Sequence, residues 1–301
     1  MKKGKITLLS LALLGSVALS SCYVDLGFLT IGEKPAEAQK EPEKEESKYE
    51  EKAAEAYTGN YYDSISDSLS GEELLNALRT LNSNKRTSLV GYSSMGTNAS
   101  AKFKYTDYDA SDPSKLKKDS NGQVYGTKII SFYSGNKTAT YNREHVWPNT
   151  HGGDLVEDDI HMVRPTIVEE NSARGHSFYV QGMKSTSNGG WDPAMESFGD
   201  ETYRGDAARI IFYCMVATDQ LTLVDDANRS SMTNNYEMGV ISDMISWSVN
   251  YPVLNREQRR DSGAEYLQGN RNPFIDHPEY VCRIWGNTNS KTKSICQNAN
   301  Y

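Results

Sequence analysis

The sequence is poor in cysteine, with four in 301 residues, and it has no pair of cysteines in CxxC spacing. Structural zinc sites usually draw on such pairs, so a zinc-stabilised fold is not expected. Positive charge is also scarce: the formal net charge at pH 7 is -8, which argues against a broad basic surface for nucleic acid. A local basic groove or a bound cation remains as a way to hold a phosphate.

The N-terminal region lacks an apolar run long enough to cross a bilayer, which takes about 20 residues. The run Ile6–Leu19 follows three lysines and predicts a secretory signal peptide in residues 1–21. It ends in the letters LSSC, which resemble the lipobox of bacterial lipoproteins, so Cys22 is the predicted lipidation site. An ordinary signal with a chance cysteine is the alternative. The expected product is an exported lipoprotein, anchored to a membrane and facing the periplasm or the cell exterior.

Residues 22–56 are rich in Glu and Lys and show no apolar periodicity, which predicts a tether. A solvated helix is the alternative, since Ala, Glu and Lys favour helix. Residues 57–301 show no internal repeat and no second break in composition, so we expect one domain there. Strands and helices do not alternate in the doubly wound manner, and the expected fold class is therefore α+β.

Apolar spacing predicts three helices, in residues 70–82, 204–221 and 238–250, with Ser70 as the cap of the first. The segments TKIISFY (127–133) and ATYNREHV (139–146) are typical of strands, and the turn SGNKT between them predicts a hairpin.

Three cysteines remain if Cys22 is lipidated. Cys214 lies in an apolar helical pattern and is expected to be a buried thiol. Cys282 and Cys296 are fourteen residues apart. In an exported protein a disulfide between them would add about 3 kcal/mol of stability, and the sequence leaves open whether it forms.

Glu144 and His145 stand side by side in NREHVWP. Successive strand residues face opposite ways, so both can serve one site only where the strand is ending, and Pro148 supplies that ending. Near neutral pH a histidine can remove a proton from water. A carboxylate is a hard oxygen donor that suits an ion such as Mg²⁺.

A second ligand must come from elsewhere, and the segment DDIHMVRPTIVEENSARG offers one. Pro165 ends the element that precedes it. The segment TIVEENSAR then has the composition of a helix start, with Thr166 as a possible cap. Asn171 and Arg174 are three residues apart and share one helical face. An amide oxygen there can bind a metal ion, and a guanidinium can hold a phosphate.

These segments, followed by QGNRNPFIDHP (268–278), resemble in order the three blocks of the bacterial endonuclease I family, exported nucleases of the ββα-metal fold. The similarity covers about residues 61–285. It implies that His145 is the general base and that Glu144 and Asn171 bind one divalent ion, Mg²⁺ with Mn²⁺ or Ca²⁺ as alternatives. It also implies cleavage of DNA, and of RNA in some members, with little sequence preference and with 5′-phosphate ends. No feature predicts a protein partner.

The sequence departs from the family's best-studied branch, which has a cysteine-rich insertion carrying an arginine that contacts the scissile phosphate. Only NTHGGDLVE separates the first two blocks here. Arg143, Arg164 or Arg174 must then supply that charge. We favour Arg174 and then Arg164, and the alternative for Arg174 is a surface pair with Glu170.

Other polar residues of the blocks have two interpretations. Asp159 and His161 match the family's D-x-H, and they either contact the substrate directly or form a buried hydrogen-bonded pair that orients the loop. Asn270, Arg271 and Asp276 could equally pin the C-terminal loop to the core.

Two other functions compete with the nuclease. A zinc hydrolase could use His145, His151 and His161, but the sequence has no HExxH, and His151 in its glycine-rich loop is expected to be exposed. The other is a non-catalytic surface lipoprotein on a nuclease scaffold. Against it, the glutamate, histidine and asparagine are all present.

Overall fold

Helices outweigh strands in the computed structural model, which describes residues 51–96, 102–184, 189–227 and 235–300. The helices of these ranges are α1 Gly71–Lys85, α2 Tyr92–Met95, α3 Val168–Arg174, α4 Tyr203–Ala217, α5 Ile241–Asn250, α6 Asn255–Gln268, α7 Pro273–Asp276, α8 Tyr280–Trp285 and α9 Ser290–Gln297. The strands are β1 Lys117–Lys118, β2 Val124–Tyr125, β3 Ile129–Ile130, β4 Lys137–Thr138, β5 Asn142–His145, β6 Val163–Thr166, β7 Phe178–Tyr179, β8 Gly190–Trp191, β9 Thr222–Val224 and β10 Glu237–Gly239. The described residues belong to one compact unit, and the predicted α+β class is confirmed.

The three predicted helices are confirmed as α1, α4 and α5. The leucines that define the apolar stripe of α1 are all buried, namely Leu74, Leu75, Leu78 and Leu81. Helix α4 is buried on nearly every side and packs against both α1 and α5, so it forms the centre of the core. Ser70 occupies the N-cap position of α1, but its side chain makes no capping hydrogen bond.

The predicted hairpin is only partly right. Its two segments pair over two residues each, where β3 runs antiparallel to β4. The strand with the histidine, β5, instead pairs antiparallel with β6 of the second sequence block, with Glu144 opposite Arg164 and His145 opposite Val163. All four residues of β6 are buried. Pairing with β6 therefore places β5 against a fully buried strand of the core.

Strand β6 leads into α3 through a single residue, Ile167, so β5, β6 and α3 form a strand–strand–helix unit. The predicted cap Thr166 is wrong. Thr166 is the fully buried last residue of β6, and Ile167 occupies the N-cap position without a side-chain hydrogen bond. The helix is held by its packing against β5 rather than by a cap.

The predicted signal peptide, Cys22 and the tether as far as residue 50 lie outside the described residues. Residues 51–56, also assigned to the tether, lie along the start of α6. The Ala54 amide donates to the Val253 carbonyl at 2.8 Å, and the Asn255 amide donates to the Lys52 carbonyl at 2.9 Å. Contacts with the domain therefore begin before residue 57.

Cys282 and Cys296 form a disulfide that joins α8 to α9, which answers the question the sequence left open. Cys214 is a buried free thiol, as expected. No helix in the described ranges combines the length and the apolar character that a membrane crossing requires.

Candidate active site

Strand β5 ends at His145, as expected, and its last two residues meet different surroundings. Glu144 is 2% exposed. It accepts a hydrogen bond from the Tyr133 hydroxyl at 2.9 Å, and the Arg174 Nε lies 3.3 Å away. Both contacts are made to Oε1, so Oε2 is the carboxylate oxygen free of these two partners. Burial raises the pKa of Glu144 to about 7, and Arg174 and Tyr133 oppose that rise.

His145 is partly accessible, with 14% of its side chain exposed. Its Nε2 lies 3.2 Å from Oε2 of Glu157, and its ring lies 4.9 Å from the ring of Tyr92 at an angle of 37°. Burial lowers the pKa of His145 below its ordinary value, although the hydrogen bond and the charge of Glu157 raise it. The imidazole is therefore neutral at pH 7, the form in which it can accept a proton.

Arg174 is fully buried and extends from α3 to the end of β5. Besides its ion pair with Glu144, it donates to the Val146 carbonyl at 2.8 Å, and its guanidinium lies 4.8 Å from the centre of the Tyr179 ring. The alternative surface pair with Glu170 is wrong. Glu170 is itself buried and accepts a hydrogen bond from Ser131 at 2.6 Å.

Asn171 lies three residues before Arg174 on α3 and is half-buried. Residues three apart share a helical face, and Arg174 fixes that face against the end of β5. The structure thus brings α3, with Asn171, to the strand that carries Glu144 and His145.

The two arginines favoured for phosphate contact are both buried, and the third is not. Arg164 is 6% exposed, and its Nε donates to Asp107 at 2.7 Å. Arg143 is half-exposed. It donates to the Tyr92 carbonyl at 2.8 Å and places its guanidinium 3.7 Å from the centre of the Tyr92 ring. Tyr92 therefore contacts both this arginine and the ring of His145.

Asp159 and His161 belong to a separate buried network that ties the second block to the third. Asp159 accepts hydrogen bonds from the Tyr213 hydroxyl and the Gln268 amide, each at 2.6 Å. The Nε2 of His161 lies 3.1 Å from the Asn270 carbonyl oxygen. In the third block, Arg271 forms ion pairs with Asp276 and Asp261, and the Asn272 side chain caps α7. These contacts hold the C-terminal loop to the core.

The histidines proposed for a zinc site lie apart. His151 is 5% exposed, so the expected exposure is wrong; its Nε2 lies 3.0 Å from the His176 carbonyl oxygen and its ring packs on Phe178. Among the residues that the structure describes, no three His, Cys, Asp or Glu side chains are grouped to hold a metal ion.

Sequence reasoning missed three neighbours of the site: Tyr92, Tyr133 and Glu157. Tyr133 has a φ of 79°, a left-handed conformation that is uncommon for a residue with a side chain, and strained residues of this kind cluster at functional sites. Glu157 ends the short connection NTHGGDLVE. The available signal was an acidic residue in a connection that brings the chain back beside the histidine. Using this signal required knowing that β5 pairs with β6.

A strand–strand–helix unit that carries a glutamate, a histidine and an asparagine is the arrangement expected of an endonuclease I protein. The chain belongs to this family: the Endonuclease I family model matches residues 70–279, which confirms the resemblance of the sequence blocks.

Two relatives carry the name extracellular ribonuclease. That of Bacillus amyloliquefaciens is 35% identical over 168 residues, and that of Bacillus subtilis (strain 168) is 34% identical over 168 residues. In each case the match covers 50% of this chain and 56% of the relative. The chain thus spans about half the length of the relatives it matches.

Proposed function

We propose that the protein is a metal-dependent nuclease that hydrolyses phosphodiester bonds without sequence preference and leaves 5′-phosphate ends. The observation that carries the proposal is the unit β5–β6–α3, which sets a partly exposed His145 beside Glu144 and against the helix of Asn171. Membership of the Endonuclease I family supports it independently.

His145 is the proposed general base. The contact of its Nε2 with the Glu157 carboxylate favours the tautomer that carries the proton on Nε2. The Nδ1 is then unprotonated and accepts the proton of the attacking water. Glu157 holds the ring in place and stabilises the positive charge that the imidazole acquires.

Glu144 and Asn171 are the proposed ligands of the divalent ion, and their chemistry fits one. Both offer oxygen, which Mg²⁺, Mn²⁺ and Ca²⁺ prefer, and Oε2 of Glu144 is free of Tyr133 and Arg174. When bound, the ion would stabilise the negative charge that develops on the phosphate and the leaving oxygen. Arg174 and Tyr133 hold the carboxylate in one orientation.

Arg143 is the proposed contact for the scissile phosphate. It is partly exposed and packs on the same Tyr92 ring that His145 contacts, whereas Arg164 and Arg174 are enclosed by protein groups. Arg174 acts on the reaction through Glu144, as a positioning residue.

The proposed substrates are DNA and RNA. The relatives' name supports RNA, and the name of the family model is compatible with either nucleic acid. Export is part of the proposal, since those relatives are named extracellular and the N-terminal sequence predicts a signal. Fractionation of cells into cytoplasm, membranes and medium tests it, and recovery in the cytoplasm alone would contradict it.

The decisive experiment incubates the purified full chain with supercoiled plasmid and with RNA, in Mg²⁺ and in chelator. His145→Ala should keep its metal affinity, measured by calorimetric titration with Mn²⁺, and lose about 10²- to 10⁴-fold in cleavage rate, the usual worth of a positioned base. Glu144→Ala and Asn171→Ala should each weaken the binding of the metal as well as cleavage.

Each outcome has a distinct meaning. A large loss of metal affinity in His145→Ala would make the histidine a ligand, and unchanged cleavage would remove it from the mechanism. Cleavage that persists in chelator would contradict the metal. If neither nucleic acid is cut under any condition, the non-catalytic alternative replaces the proposal.

A further inference from the structure

A lysine-rich surface lies outside the candidate active site, in residues 102–137. This stretch contains seven lysines, four aspartates and neither arginine nor glutamate, in a chain whose net charge is -8. The local excess of positive charge therefore opposes the trend of the whole molecule.

Most carboxylates of this stretch are neutralised by partners. Asp107 is buried against Arg164 and Arg260. Asp109 pairs with Lys137 at 3.2 Å, and Asp112 pairs with Lys115 at 2.9 Å.

The lysines left without a carboxylate partner within the described ranges are Lys102, Lys104, Lys117, Lys118 and Lys128, against the single charge of Asp119. A phosphate chain could approach this surface without displacing an ion pair.

Three side chains form one continuous patch. Lys117 of β1 stands directly opposite Tyr125 of β2, so their side chains lie on the same face of the hairpin. The Lys104 ammonium lies 4.9 Å from the centre of the Tyr125 ring. Lys118 follows Lys117 in the strand and therefore projects to the opposite face.

A groove of about 340 Å³ adjoins this patch. Lys117 and Lys128 both line it. The two aspartates on its wall are those already paired with Lys137 and Lys115. The groove is therefore lined by two lysines without a described carboxylate partner, and Lys117 is paired with the partly exposed Tyr125.

We propose that Lys104, Lys117, Lys128 and Tyr125 form a binding surface for a single nucleic-acid strand, with phosphates on the lysines and a base stacked on the tyrosine. This inference rests on the proposed nuclease function and extends it to the recognition of long substrates. Repeated phosphates match separated ammonium groups, and an aromatic ring adds stacking that any base can use.

The surface is connected to the active site by direct packing. The 3-10 helix Lys102–Tyr105 packs against α2, which carries Tyr92 against the ring of His145. A strand held on the lysines can therefore continue past α2 to the general base. The lysines should therefore strengthen the binding of polymers, whereas a substrate with one phosphodiester would not reach them.

The test compares Lys117→Gln/Lys128→Gln with the control Lys118→Gln/Lys293→Gln, which loses the same charge from two exposed lysines, one on the opposite face of the hairpin and one on α9. Binding of fluorescein-labelled dT and rU dodecamers to the full chain is measured in chelator, so cleavage plays no part. Two lost phosphate contacts should weaken binding about 10- to 100-fold at 50 mM salt and lower the slope of log affinity against log salt by about 1.4. The control pair should change both the affinity and the salt slope far less.

Tyr125→Leu separates stacking from charge. It should weaken binding of the dodecamers by about fivefold or more while leaving the salt slope unchanged, because stacking releases no counterions. Hydrolysis of the p-nitrophenyl ester of thymidine 5′-phosphate should be the same in all these variants and the parent.

An equal loss of dodecamer binding in the control pair, or no loss in Lys117→Gln/Lys128→Gln, would overturn the proposed binding surface. So would a selective loss of binding to phosphatidylglycerol vesicles with dodecamer binding intact, which would assign the lysines to a membrane. If the parent cuts neither plasmid nor RNA while dodecamer binding responds as expected, the surface stands and the proposed nuclease function fails.

Discussion

At the scale of single residues, the site depends on two adjacent side chains that lie in different environments. Glu144 is buried between Tyr133 and Arg174, whereas His145 is partly accessible and contacts Glu157. The pleat of β5 produces this difference in environment, because successive side chains face opposite sides of a strand. Burial can thus hold the carboxylate rigid without closing the base to water.

Tyr92 should act as a positioning residue for both His145 and Arg143. Its ring contacts both, so Tyr92→Ala removes the packing that orients the imidazole and the guanidinium. We expect kcat on RNA or plasmid to fall about 10- to 100-fold, since a small misplacement of a catalytic group has effects of that size. Metal affinity, measured by calorimetry, should stay unchanged.

Tyr92→Phe is the matched control, because it keeps the ring and removes only the hydroxyl. It should restore most of the activity lost in Tyr92→Ala. A phenylalanine variant as slow as the alanine variant would contradict positioning by the ring, and so would a loss confined to KM.

At the scale of elements, the ββα unit is tied to the rest of the domain by a buried charge. Asp107 accepts hydrogen bonds from Arg164 of β6 at 2.7 Å and from Arg260 of α6 at 2.6 Å. Arg260 also donates to the Val163 carbonyl at 2.9 Å. One carboxylate therefore joins the inner strand of the site to the C-terminal helices.

Asp107→Ala should destabilise the protein strongly, because it removes the carboxylate paired with the buried Arg260 and leaves Arg164 only the more distant Asp206, at 4.0 Å. Breaking a buried pair in this way costs about 3 to 5 kcal/mol. Urea unfolding at pH 7 measures the change in the free energy of unfolding. The exposed pair of Glu72 with Arg79 gives the comparison, since Glu72→Ala removes a carboxylate that is 71% exposed and should have little effect. Equal effects of the two substitutions would show that the buried carboxylate is not needed.

At the scale of the whole molecule, the buried network of the second and third blocks should make stability depend on pH. Burial lowers the pKa of His161 to about 4, and the charge of Asp159 opposes that shift. An exposed histidine in the unfolded chain titrates near about 6.5. Between those values the unfolded state binds a proton that the folded state does not. The free energy of unfolding should therefore fall as the pH drops from about 6.5 to about 4, by on the order of 3 kcal/mol from this residue.

His161→Gln isolates that contribution, because glutamine does not titrate while the neighbouring charges Asp159, Asp261, Arg260 and Arg271 remain in both proteins. Urea unfolding of both proteins at several pH values between 4 and about 7 gives the measurement. The stability advantage of the parent should shrink steadily as the pH falls. A difference that stays constant over this range would contradict a buried neutral His161.

The sequence by itself determined the features that depend on local pattern. The apolar stripes of α1, α4 and α5 predict buried helices because helical periodicity reports which face of an element leaves water. The end of β5 at Glu144 and His145 follows from Pro148, and the order of the three blocks identifies the family. The residue types of the site were therefore predictable from segments of about ten residues.

Only the tertiary structure decided which of these segments meet. It paired β5 with β6 rather than with β3, buried Arg174 and Arg164, and enclosed His151. It also brought Tyr92 to a histidine 53 positions later in the chain. The physical reason is that a buried charge is stable only beside its counter-charge, and here the partners lie far apart in sequence, as Arg164 does from Asp107 and Arg174 from Glu144. Local periodicity carries no information about such partners, so the accessible arginine and the contacts of the base emerge only from the packed fold.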